Sequence, residues 1–206
     1  MTTSTQSPAR SSRRSRGYTL VEVLVAAGLT GFILTGVLST FLFLGRSSAN
    51  IVNYSEMETE ARKGLESFAV DTREASDLYW IDANTIRLSI GTTFVNYGYD
   101  TSTKAFYRVP VTRSGSSGSY TYTESAPRSQ LIRRVEDFAF RGYQINATTP
   151  IDVSDLSTAA KQSAASNVTK QIQISMRAIR KDVTVVGVTN SVFSARYILR
   201  NKKVTV

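Results

Sequence analysis

Glu22 is the one charged side chain in residues 18–45, an otherwise apolar run. An acid well inside a bilayer costs on the order of 2.5–3.5 kcal/mol or more, so its position calls for a use. Just before it, Gly17 closes a stretch rich in Ser, Thr and Arg. If the chain is cut after Gly17, Tyr18 becomes the new N-terminus and Glu22 lies one helical turn away. A free amine at the start of a helix in an apolar setting needs a partner, and a carboxylate there suits the positive end of the helix dipole. Elsewhere the sequence offers little chemistry. It has no histidine and no cysteine, which removes the commonest general base, the thiolate nucleophile and the usual zinc ligands. Asp152 and Asp155, with nearby Ser and Thr oxygens, could bind calcium, but their spacing matches no EF-hand loop. The Gly/Ser run at residues 114–119 lacks the lysine and the following helix of a phosphate loop. Tyr97, Tyr99, Tyr107, Tyr120 and Tyr122 sit among basic residues and could stack on nucleic acid, although alternating tyrosines are also ordinary strand residues. The expectation is a protein that is not an enzyme, with no cofactor and no metal site.

Glu22 must be positioned by the apolar run itself. At ~1.5 Å per residue, a helix over residues 18–45 spans roughly 42 Å, more than the ~30 Å hydrocarbon core of a bilayer. Arg10, Arg13, Arg14 and Arg16 precede it, an asymmetry that puts the N-terminus in the cytoplasm and everything after Gly45 on the far side. A cleavable secretory signal would have a shorter apolar core of ~7–15 residues and a small-x-small site at its far end. A plain signal anchor gives the carboxylate no purpose. Cleavage after Gly17 gives it one.

The basic leader, the Gly17 before Tyr18-Thr19-Leu20-Val21-Glu22 and the long apolar helix resemble the class III signal of type IV pilins and type II secretion pseudopilins. The resemblance covers residues 13–45. It implies that a membrane prepilin peptidase cuts after Gly17 from the cytoplasmic side and methylates the Tyr18 amine. It also implies that the apolar helix packs into a filament core and that the acid at Glu22 engages the amine of a neighbouring subunit to set register. The implied partners are other pilin or pseudopilin subunits and an inner-membrane assembly platform. The order of elements beyond residue 45 is similar to larger minor pseudopilins of the J type or related minor pilins, and the lack of a cysteine bridge leans the same way.

The helix should continue past Gly45. Ile51, Tyr54, Met57, Ala61, Leu65, Phe68, Thr72 and Ala75 recur at steps of three and four, one apolar face that ends near Ser76 and Asp77. From Leu78 the period falls to two. Strands are expected at residues 78–81 and 85–90, then a hairpin of 94–99 with 104–109 around a turn at 100–103. Ile86, Leu88 and Ile90 share the face that should receive Leu65 and Phe68. Residues 113–119 read as a flexible loop, 130–134 and 135–143 as one or two strands. Residues 148–167 admit either a long exposed loop or a short helix capped by Asp155. Residues 170–179 alternate cleanly as a strand, and 183–188 and 192–199 are strand-like.

These pieces make an α+β protein, a long N-terminal helix on an antiparallel sheet of four or more strands. The expected organisation is a leader at 1–17, a membrane or filament-core helix at 18–45, an amphipathic continuation at 46–77 and an exterior β-rich domain at 78–206. Four of the +9 formal charges lie in the leader, which leaves +5 after processing. That balance supports an alternative, a signal-anchored monomeric surface domain that binds polyanions such as DNA through a basic face. On either reading the protein is single-pass in the inner membrane, with its globular domain periplasmic or extracellular.

Overall fold

The computed structural model describes residues 17–116, 118–180 and 189–203. The expected leader through Arg16 and the strand expected at 183–188 lie outside the described residues. Contacts divide the chain into two units, Met1–Gly45 and Arg46–Val206. Helix α1, Leu20–Glu74, contributes to both.

In the first unit α1 is apolar around its whole circumference, and the side chains of residues 17–45 are all exposed. Fully burying a Leu, Val or Phe side chain contributes about 1.5–3 kcal/mol, so lipid or neighbouring helices must supply what this unit lacks. Its threonine hydroxyls are already satisfied. Thr30, Thr35 and Thr40 each donate to the carbonyl four residues back, of Ala26, Gly31 and Gly36, at 2.8, 2.8 and 3.0 Å. No threonine there brings an unpaired hydroxyl into an apolar surrounding.

In the second unit α1 buries Asn53, Met57, Ala61, Gly64, Phe68, Ala69 and Thr72. The expected stripe is thus in place from Met57 onward. It fails at its start, where Ile51 and Tyr54 are 67% and 51% exposed. Buried positions also include Gly64, which no apolar pattern marks. A Cβ there would lie 2.7 Å from Ile132 Cγ1, so the helix approaches the following sheet through the absence of a side chain.

The strands form two sheets where one was expected. The first runs β1 (Asp77–Asp82), β2 (Thr85–Ile90), β3 (Thr93–Asp100), β4 (Ala105–Ser116) and β5 (Ser119–Glu124), with β6 (Ser129–Ile132) also on β4. The second is β7 (Val135–Tyr143), β8 (Gln171–Arg180) and β9 (Thr189–Ile198), and every pairing in both is antiparallel. The register sets Leu78 opposite Leu88, Trp80 opposite Ile86 and Ile86 opposite Tyr97. That row faces Phe68, whose ring meets those of Tyr97, Phe106, Phe140 and Tyr197 at 5.0–6.0 Å. Both sheets therefore share one core, with Phe68 at the junction. Beside it Asp71 Oδ2 accepts from Tyr97 Oη at 2.7 Å and from Arg108 Nε at 2.9 Å, which ties the helix to the first sheet.

Residues 113–116 and 119, expected in a loop, are strand. β4 continues to Ser116 and turns into β5, with Gly115 and Gly118 at φ of 101° and 94°. Glycine and serine here mark a hairpin that needs left-handed backbone. Residues 148–167 contain helix α2, Ala159–Val168, capped by Thr158 rather than Asp155. Ahead of it Ile151, Val153 and Leu156 pack against the core, so this stretch is no exposed loop either.

The segment after β9 closes the domain. Asn201 Nδ2 donates to the carbonyls of Arg73 and Glu74 at the end of α1, at 3.4 and 3.2 Å. Lys202 is 4% exposed. Its Nζ donates to the carbonyls of Leu78 and Ser166 at 3.1 and 2.6 Å and pairs with Asp77 at 2.7 Å.

Candidate functional site

Three residues were expected to carry the function: Gly17, Tyr18 and Glu22. Gly17 and Tyr18 are exposed, non-helical backbone ahead of α1. Tyr18 is 87% exposed. A peptide bond in such a segment is open to an enzyme, whereas the amides from Leu20 onward are held in the helix.

Thr19 is the residue before the helix and Glu22 is its third helical residue. Thr19 donates to Glu22 Oε2 twice, from its backbone N at 2.8 Å and from Oγ1 at 3.0 Å. In return the Glu22 backbone N–H donates to Thr19 Oγ1 at 3.3 Å. This reciprocal arrangement is a capping box, which satisfies two of the backbone donors that every helix start leaves unpaired. The motif T-x-x-E is legible in Thr19-Leu20-Val21-Glu22, and the functional reading of Glu22 passed over it. Two things follow for the chemistry. The carboxylate is fixed toward the N-terminal end of the helix rather than free on its flank. All of its hydrogen bonds from described residues go to Oε2, which leaves Oε1 as an acceptor for a cation arriving from outside the helix. Cutting the Gly17–Tyr18 bond leaves the Thr19 amide intact, so the box outlasts processing.

Residues 12–38 match the family model described as the prokaryotic N-terminal methylation motif. That match supports a precursor of pilin or pseudopilin type. Such a motif implies processing by a prepilin peptidase and assembly with other pilins in general. Among the described residues one helix, Leu20–Glu74, is apolar and long enough to cross a membrane, and with the motif at its start it suggests a membrane-anchored, pilin-like protein. Comparison with curated proteins gives no match.

The remaining sequence candidates stay apart from this site. Asp152 Oδ1 accepts from Ser154 N and Oγ at 2.9 and 2.7 Å. Asp155 repeats the pattern with Ser157 and pairs with Lys161, and together these bonds hold its carboxyl down to about 2. Both acids therefore serve local turns, and among the described residues no group of three or more His, Cys, Asp or Glu gathers into a metal-sized cluster. The tyrosines divide. Tyr97 and Tyr107 are 0% and 4% exposed and offer no face to a base. Tyr120 and Tyr122 lie against arginines of their own sheet, Arg113 at 4.4 Å and Arg87 at 3.7 Å. Arg128 likewise covers Tyr107 at 4.4 Å and pairs with Glu124 and Asp100. These arginines make cation–π contacts within the protein, and nothing in their placement favours the polyanion-binding alternative.

Proposed function

We propose that the processed chain is a non-catalytic filament subunit, a minor pilin or pseudopilin of the larger J-like kind. It is cut after Gly17 by prepilin peptidase, methylated on the Tyr18 amine, and assembled into or at the start of a type IV pilus or type II secretion pseudopilus. The supporting observation is the pairing of a wholly exposed apolar helix with one carboxylate, Glu22, fixed at its N-terminal end. In a bundle of such helices the new amine of one subunit and the carboxylate of the next are the only charges at that depth. Their attraction in a low dielectric is satisfied at one stagger of neighbouring helices and at no other, which makes the pair a register device rather than a large stabiliser. The inner-membrane assembly platform holds subunits while that stagger is found, and the domain after Gly45 stands on the far side of the membrane.

Intact mass and N-terminal sequence of the protein recovered from its native membrane test the processing step. A chain beginning at methylated Tyr18 is expected; one still beginning upstream of Gly17, in cells with active peptidase, refutes it. Glu22→Val tests the register role, with incorporation into filaments lost while processing continues. Wild-type incorporation of that variant would sink it.

A further inference from the structure

A sheet edge is an unpaired row of backbone donors and acceptors, and proteins usually block it. This one blocks all but two. At the β1 edge, Trp80 N–H donates to Ser166 Oγ at 2.8 Å, Gln162 Nε2 donates to Ile81 O at 2.8 Å, and Lys202 reaches Leu78 O. The β7 edge receives the N–H group of Ile151 at Gly142 O, at 2.8 Å. Strand β6 is four residues long and ends where Arg133 N–H donates to Glu60. The β1, β6 and β7 pairings each carry a register irregularity that bends the edge away. Of the two edges left, β5 is short, exposed except at Tyr122 and ends in Glu124.

Strand β9 is longer. Its ten residues hold an unbroken register with β8, and among the described residues they pair with nothing else. It contains no proline and one charge, Arg196. Val192 and Ile198 stand 72% and 53% exposed on its outer face. On its inner face Phe193 and Tyr197 are only partly buried, and with Leu65, Ala69 and Val70 of α1 they form the apolar part of an open groove of about 510 Å³ that α1 also lines with Glu58, Arg62, Glu66 and Arg73.

The sequence of this strand names its occupant. Val192-Phe193-Ser194-Ala195-Arg196-Tyr197-Ile198 is symmetric in character about Ala195. Antiparallel pairing of two copies about that residue puts Val192 opposite Ile198 and Phe193 opposite Tyr197, each twice. Ser194 meets Arg196, Ala195 meets itself, and no like charges face each other. Aliphatic and aromatic cross-strand pairs of this sort are the stabilising unit of a sheet. We propose that β9 pairs with β9 of a second copy of this chain, joining two three-stranded sheets into one of six strands. The paired aromatics then lie over the groove beside α1 in each copy. The interface is isologous and closes at two.

The chain has no native cysteine, so one introduced thiol reports on the register. In the proposed pair the two Ala195 Cβ atoms lie ~4.5–5.5 Å apart, close to what a disulfide needs. The two Asn190 residues lie about 33 Å apart, ten positions out of register at ~3.3 Å each. Full-length A195C and N190C are oxidised in membranes and run without reductant. A195C is expected to form a disulfide dimer in several-fold excess over N190C. In the A195C background V192K/I198K sets like charges opposite each other and should abolish the dimer, whereas V192K/I198E sets opposite charges there and should restore it. Emission of Trp80 verifies that each variant is folded. Equal crosslinking of A195C and N190C, a folded A195C that stays monomeric or links only to another polypeptide, or identical behaviour of the two charge variants overturns the proposal.

Discussion

Gly64 gives the sharpest test of how α1 meets the first sheet. Substituting alanine in an open helix interior should stabilise by ~1 kcal/mol, because glycine is the poorer helix former by about that much. Here the new Cβ would stand 2.7 Å from Ile132 Cγ1, 3.1 Å from Ile132 Cδ1 and 3.2 Å from Leu131 Cβ. Ordinary carbon contacts lie at ~3.5–4.0 Å, so helix or strand must yield by roughly 0.8 Å or more. Ile132 is 2% exposed and cannot swing into solvent, and Leu131 Cβ moves only with its backbone. Overpacking of this degree costs ~1–3 kcal/mol, which outweighs the propensity gain and leaves Gly64→Ala net destabilising by up to ~2 kcal/mol. Gly64→Val adds two methyls in the same place and should cost more than Gly64→Ala. The chain has a single tryptophan, Trp80, fully buried in the same core, so urea titration of the full chain in detergent can be followed by its emission alone. A lower midpoint at unchanged slope is expected. A higher midpoint for Gly64→Ala would mean that the helix gains its propensity unopposed and that β6 does not touch it.

The same assay reads two further changes. Lys202→Met keeps the apolar stem but deprives Leu78 O of its partner, whereas Ser166 O keeps the N–H of Thr169 and Asp77 is solvent-exposed. A loss of about 1–3 kcal/mol follows from one orphaned buried carbonyl, and an unchanged midpoint would contradict it. Alkaline stability should depend on Tyr97, whose phenol is pushed up first by burial and further by Asp71. Its folded value lies above the ordinary ~10, so its contribution is complete below that pH and is lost as pH rises beyond it. Tyr97→Phe should flatten the fall in stability above pH ~10; an identical profile would show that the phenol titrates alike in the folded and unfolded states.

Much of this architecture was legible because it rests on periodicity. The 3.6-residue stripe located Met57, Ala61 and Phe68, and alternation located β2 and β8 nearly to the residue. What escaped depends on the approach of distant segments. Nothing local distinguishes Ile51 and Tyr54, which are exposed, from Met57, because the difference is whether a sheet lies beneath. Gly64 is buried by what it lacks. The hairpin at residues 113–119 was obscured because glycine and serine serve both flexible loops and left-handed turns. At the functional end the charge and spacing of Glu22 were plain, but its engagement with Thr19 was passed over although T-x-x-E states it. A carboxylate read only as a long-range partner hides its local one.

Asn201 caps α1 from a position 127 residues further along the chain. Most helices are closed by residues in their own last turn, so they are complete soon after they are made. This one is not. The carbonyls of Arg73 and Glu74 at its end and of Leu78 at the β1 edge all wait for residues 201 and 202. The entropic cost of closing so long a loop is met before these last contacts repay it. Docking of residues 201 and 202 is thus a closing step of the domain's folding, and until it occurs the end of α1 and the β1 edge are incomplete.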